Sequence, residues 1–211
     1  MPLTANLDVF IPDLRREAGD PNGKRWPTAE LVYYTNFGSR DYAARTRILY
    51  RTETVNTVAG TETYVLSDLY GARLAQLKLG TNWYQDLRVV DEPYPEKMLP
   101  AGQSQSTHAW TDRRYVSGVS PVGLLRLGLA PIPGAVYEIF LEGWGLPLWL
   151  PDDTGVSDLA PEFLYDVRHY VLSRMMMHYR QWGEAMEHRK DYEKAVQRAS
   201  AYAESVWGVH S

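Results

Sequence analysis

Tyr170–Glu193 reads YVLSRMMMHYRQWGEAMEHRKDYE. Followed back to Pro161, this stretch carries two apolar stripes at helical spacing. Leu164, Val167, Val171, Met175, His178 and Trp182 form one; Tyr165, Leu172, Met176 and Tyr179 form the other. A helix that is apolar on more than one face must be covered on more than one face. QWGE interrupts the pattern at Gly183, so the reading is a helix pair, 161–182 and 184–206. The second helix carries a cleaner stripe of Ala185, Tyr192, Val196, Ala199, Ala203 and Val206.

The same stretch is where chemistry would sit if the chain had any. His169 and His178 are nine residues apart, about 900° of rotation, so within one helix they point to opposite faces and share no metal. His178 falls in the apolar stripe and reads as a core histidine with one hydrogen bond. Glu184 stands four residues before His188, which is surface-pairing geometry. EHRKDYEK (187–194) mixes signs at three-residue spacing and reads as a solvated face. A hydrolase using His178, Glu184 or His188 is the rival to this packing reading.

Upstream, GLPLWLPDDTGVSDLAP is a Pro- and Asp-rich linker, and Asp152 and Asp153 read as a turn more simply than as a cation site. Residues 52–150 read as strands: TETVNTV, ETYVLS, ARLAQLKL, DLRVV, HAWTDRRYVSG, VGLLRLG and AVYEIFLEGW, separated by turn signals. Seven such segments suggest an antiparallel sandwich or small barrel. Before them, TAELVYYTNFGSRDYAARTRILYR keeps helical spacing over 28–51, entered through Pro27 and Thr28. Gly38 weakens that helix by about 1 kcal/mol relative to Ala, which suggests close approach by another element. GDPNGKRWP is a loop, and residues 1–20 form an apolar arm expected to order on a partner or a neighbouring copy. The fold class is therefore α+β. Residues 1–51 and 151–211 make a helical body of one N-terminal helix and a C-terminal pair, and 52–150 make an inserted β domain.

Composition narrows the function. The net charge of −4 provides no global basic field for nucleic acid, although Arg40 and the basic RTRILYR segment could touch phosphates. No cysteine is present, so disulfides and thiolate zinc sites are excluded. The opening residues lack a basic head with an apolar run, so no signal peptide is expected. No stretch approaches the ~20 apolar residues of a membrane span, and the protein is expected in the cytosol where it is made. Seven Trp and fifteen Tyr against four Phe favour interfaces as well as cores. No phosphate-cradling glycine motif occurs, and Ser120 in GVSPVG lacks the nucleophile-elbow pattern. Trp83, Tyr84, Tyr94, Trp110 and Tyr115 could line a carbohydrate groove, a binding-module alternative, but sandwich core or subunit contact is the simpler reading.

DLRREAGDPNGKRWPTAELVYYTNFGSRDYAARTRI resembles tailed-bacteriophage head-to-tail adaptor proteins. The matching positions are Gly19, Asp20, Pro21, Trp26, Glu30, Leu31, Asn36, Arg40 and Asp41. TETYVLSD and the later order of YVSG, LRL, PIPG, LP and a helix near Pro161 follow the same plan. Phe37 and Gly38 depart from it, and the long β region is similar to variants with an attached sandwich. The resemblance implies a structural virion protein without catalysis or cofactor. It implies a ring of about twelve copies beneath the portal protein, joined to tail or neck proteins, with genomic DNA passing non-specifically through its channel. Tail-terminator or tail-tube proteins are the alternative within virions. The expected subunit or portal interface comprises Leu7, Phe10, Ile11, Trp26, Tyr34, Tyr42, Tyr165, Met176, Tyr179, Trp182 and Trp207.

Overall fold

A computed structural model describes residues 5–66, 69–79, 81, 84–90, 106, 108–114 and 124–207. Among these residues the chain forms four helices and seven strands, an α+β fold. It divides into two compact units, Met1–Leu49 with Pro147–Ser211, and Tyr50–Leu146.

The first unit is helical: α1 Leu7–Glu17, α2 Thr28–Thr46, α3 Pro161–His178 and α4 Trp182–Trp207. The segment read as an arm is α1, and it belongs to the chain's own core. Leu7, Phe10, Ile11 and Leu14 repeat at i, i+3, i+4 and i+7, and each is at most 1% exposed. Pro12 lies inside this helix on its exposed side. The amide of Leu7 donates to the Gly155 carbonyl, and that of Ser157 to the Ala5 carbonyl, which pins the helix entrance to the segment before α3. At its far end Gly19 takes a left-handed conformation (φ +68°), so that Gly19 and Asp20 amides reach back to the Arg16 and Arg15 carbonyls.

α2 ends earlier than its spacing suggests. Arg47 turns left-handed (φ 56°) after Thr46, and the β-favouring residues from Tyr50 enter a strand. The close approach expected at Gly38 is present. A Cβ there would stand 2.8 Å from both Tyr170 Cδ1 and Val167 Cγ1 of α3. Tyr192 of α4 completes the crossing, its hydroxyl donating to Asp41 Oδ2 at 2.8 Å. The Tyr42 hydroxyl donates to Asp166 Oδ2 at 2.8 Å, and Arg198 donates to the other oxygen of that carboxylate. Burial first, then the adjacent carboxylates, push both phenols well above the ordinary tyrosine value.

The break between α3 and α4 is at Arg180, ahead of Gly183. Arg180 is left-handed (φ 59°), its amide bonds the Met177 carbonyl, and the Gln181 amide bonds that of Met176. This closes α3 as a glycine closes α1, while Gly183 lies within the first turn of α4.

The second unit contains β1 Tyr50–Asn56, β2 Thr63–Leu66, β3 Leu69–Lys78, β4 Tyr84–Val90, β5 His108–Arg114, β6 Leu124–Ala130 and β7 Glu138–Gly145. Their order in the sheet is β1-β7-β3-β4-β5-β6-β2, antiparallel except between β4 and β5. Leu69, Ala75, Leu77, Ile139 and Leu141 share one buried cluster with Leu66, Ala109, Leu127 and Leu129, so the two halves of the sheet curl over a common core. In β3 the register shifts between Ala72 and Leu74, a bulge that leaves Arg73 exposed. At Gly143 a Cβ would lie 2.0 Å from the Gly71 carbonyl oxygen, so only glycine admits this strand contact.

Candidate subunit and partner interface

The eleven residues expected at an interface separate by burial. Leu7, Phe10, Ile11, Trp26 and Tyr42 are at most 2% exposed and form the helical unit's own core. Their apolar surface is covered within the chain itself. Tyr34 and Tyr165 are half-buried. Their hydroxyls donate to Glu30 at 3.1 Å and Asp13 at 3.0 Å, and the Tyr165 ring meets Phe10 edge-on. Met176 is 8% exposed; Tyr179 is 42% and Trp182 60% exposed. The Trp207 side chain lies outside the described residues.

Met176, Tyr179 and Trp26 come together at the α3–α4 turn. They line a cavity of about 230 Å³ with Met175, Ala18, Gly19 and a polar edge of Glu17, Arg25, Gln181 and Glu184. Tyr179 stands at 90° to Trp26 with centroids 5.3 Å apart, and the Arg25 guanidinium lies 5.8 Å from the Tyr179 ring centre. Trp182 and Met186, one turn apart at the start of α4, are exposed beside this turn in sequence. His178, expected in the core, is exposed at the end of α3 and packs edge-on against Trp26 at 5.3 Å. Its stripe leaves the core because α3 ends there.

A second exposed aromatic group was not evident from helical spacing. Tyr33 and Phe37 of α2 pack with ring centroids 4.6 Å apart and planes tilted by 48°, and Trp149 meets Phe37 edge-on at 5.3 Å. Arg40 donates to the Pro147 carbonyl and lies over the Trp149 ring. Arg45 is engaged by Glu193 and Asp41, so this arginine is committed within the unit rather than held for phosphate. Of the possible carbohydrate-facing aromatics, Tyr84 is exposed at the start of β4. Trp83, Tyr94 and Tyr115, the Trp110 side chain, and Ser120 lie outside the described residues.

The positions that carry the family resemblance act as fold anchors. Asp20 accepts three backbone amides, from Lys24, Arg25 and Trp26, at 2.9–3.0 Å. Burial alone would raise its pKa, but these donors and the nearby Arg15 charge outweigh burial and lower it. Arg15 donates to the Trp26 carbonyl and to Thr28 Oγ1, holding the start of α2. Asn36 donates to the Leu150 carbonyl at 2.7 Å and accepts the Leu150 amide at 3.0 Å, so one buried side chain pairs both groups of a returning backbone.

The family described as SU10 adaptor protein matches residues 5–209. The chain belongs to this family. No curated protein matches it. Membership makes it a structural adaptor protein of a bacteriophage. Among the described residues no helix is long and apolar enough to cross a membrane.

One further juxtaposition was hidden from sequence. His169 of α3 and His188 of α4 face each other with Nδ1 atoms 3.3 Å apart, so His188 does not pair simply with Glu184. Burial, then the Arg168 and His188 charges, lower the His169 pKa. Asp191 accepts Lys194 at 2.9 Å, as a solvated face would. A within-helix rotation argument misses the histidine pair because the two residues sit on different helices.

Proposed function

We propose that this adaptor forms a closed ring of about twelve copies in the virion neck, docked beneath the portal protein and joined to tail or neck proteins. DNA passes through the central channel without sequence recognition. The helical unit forms the ring wall through heterologous contacts, and the long β unit, an insertion relative to shorter adaptors, supplies side-to-side or tail contacts. The observation that carries the reading is the family match across residues 5–209. Exposed Tyr179 and Trp182 support it, since large exposed aromatics with polar handles suit a protein contact. The net charge of −4 suits a conduit, because tight phosphate binding would hold sliding DNA.

Native mass spectrometry and negative-stain imaging of the purified chain and of virions test this. The expected result is the chain in a ring at the head–tail junction; virions that lack it there would defeat the proposal. A Tyr179→Ala/Trp182→Ala variant should keep its helical content and lose head–tail joining. Normal joining by that variant removes the α3–α4 turn from the interface.

A further inference from the structure

The seam between α3 and α4 holds a pair of groups that an adaptor role does not require. His169 and His188 come from different helices, with Nδ1 to Nδ1 at 3.3 Å and ring planes tilted by 35°. Two imidazole nitrogens bound to one tetrahedral ion at about 2.0–2.1 Å stand about 3.3–3.4 Å apart. The pair therefore already has the bite of a chelate. Val167, Val171, Tyr192 and Val196 hold the two helices in one buried core, so little rearrangement is needed to seat an ion. We propose that His169 and His188 bind a borderline transition-metal ion such as Zn²⁺, Cu²⁺ or Ni²⁺ through both Nδ1 atoms, clamping α3 to α4.

Neutral imidazole selects this class of ion, whereas Mg²⁺ and Ca²⁺ take oxygen ligands. Among the described residues no group of three or more His, Cys, Asp or Glu forms a metal site, so water fills the remaining positions. The charged neighbours acting on His169 are Arg168 and His188 on one side and Asp191 and Glu17 on the other, with Glu17 paired to Arg168 and Asp191 to Lys194. In the ion-free pair one Nδ1–H donates to the other ring's lone pair. Ion binding moves that proton to the same ring's Nε2 by way of water, so two neutral rings release no net proton.

The test is calorimetric titration of the EDTA-stripped full chain with Zn²⁺, repeated on His169→Asn, His188→Asn and the more conservative His188→Gln, each first shown to keep its helical circular dichroism. One ion per chain is expected, with affinity falling at least about tenfold in every one of these variants. Zn²⁺ should raise the melting temperature of the parent chain and leave that of the His169 and His188 variants unchanged. His178→Asn, at the exposed end of α3, should bind as the parent does. The proposal is overturned by absent heat up to about 1 mM Zn²⁺, by equal affinity in the parent and the His169 and His188 variants, or by loss of binding in His178→Asn.

Discussion

The two units are held together by different means. The buried cluster of the helical unit mixes aliphatic side chains with Phe10, Trp26, Tyr42, Tyr170 and Tyr192, crossed by directional contacts from Asp20, Asn36, Asp41 and Asp166. The described cluster of the β unit consists of Leu, Ala and Ile, and its strands align through backbone ladders. Where the backbone ladder already sets register, the side chains need only fill space. Helices pair their own backbones internally, so their mutual placement must be specified by side-chain shape and by a few polar bonds.

This contrast can be broken most forcefully at Gly38. Gly38→Leu puts a branched side chain where even a Cβ meets Tyr170 and Val167 at 2.8 Å, and should destabilise the helical unit by about 3 kcal/mol or more. Chemical denaturation followed at 222 nm reads this, and an unchanged midpoint would show that α2 and α3 are not packed through that glycine. Asn36→Leu is next. It leaves the half-buried amide and carbonyl of Leu150 without their partner, and should cost about 1–3 kcal/mol in the same measurement.

Asp20 sharpens the comparison through pH. Its pKa is lower folded than unfolded, so its contribution is complete above the ordinary carboxylate value and is lost as pH falls through that value toward the folded one. The melting temperature of the parent chain should therefore approach that of Asp20→Asn on acidification from about pH 6 to about pH 3. A constant gap would mean that the three amide bonds do not depend on the charge. In the β unit, Leu77→Met keeps volume in an aliphatic core and should cost less than about 1.5 kcal/mol, clearly less than Asn36→Leu. The smallest effect is a gain: Arg180→Gly relieves a left-handed arginine and should add about 0.5–1 kcal/mol, seen as a raised melting temperature.

Much of this architecture is legible in the residues. α2, α3 and α4 follow the apolar period, and all seven strands coincide with the β-rich segments between turn signals. α1 shows the limit. Leu7, Phe10, Ile11 and Leu14 have helical spacing, but the sequence does not say that their cover comes from the chain's own core. The ends of α2 and α3 depend on non-glycine residues in left-handed conformations, Arg47 and Arg180, which no local preference announces. Burial divided the expected interface, since helical stripes reveal which side chains need cover but not whether the cover comes from the same chain. The role of Asn36 is equally nonlocal, because its partner is 114 positions away.

The helical unit is discontinuous in the chain, and that shapes how the protein is made. On the ribosome α1 and α2 emerge first, yet their cover in α3 and α4 follows only after residues 50–146 have been synthesised. At about 5–20 residues per second, their oily faces wait on the order of ten seconds, while the contiguous β unit can fold as it leaves the tunnel. The nascent polypeptide is therefore most prone to aggregate during translation of residues 50–146, and a host chaperone that shields the first fifty residues should raise the yield of native protein.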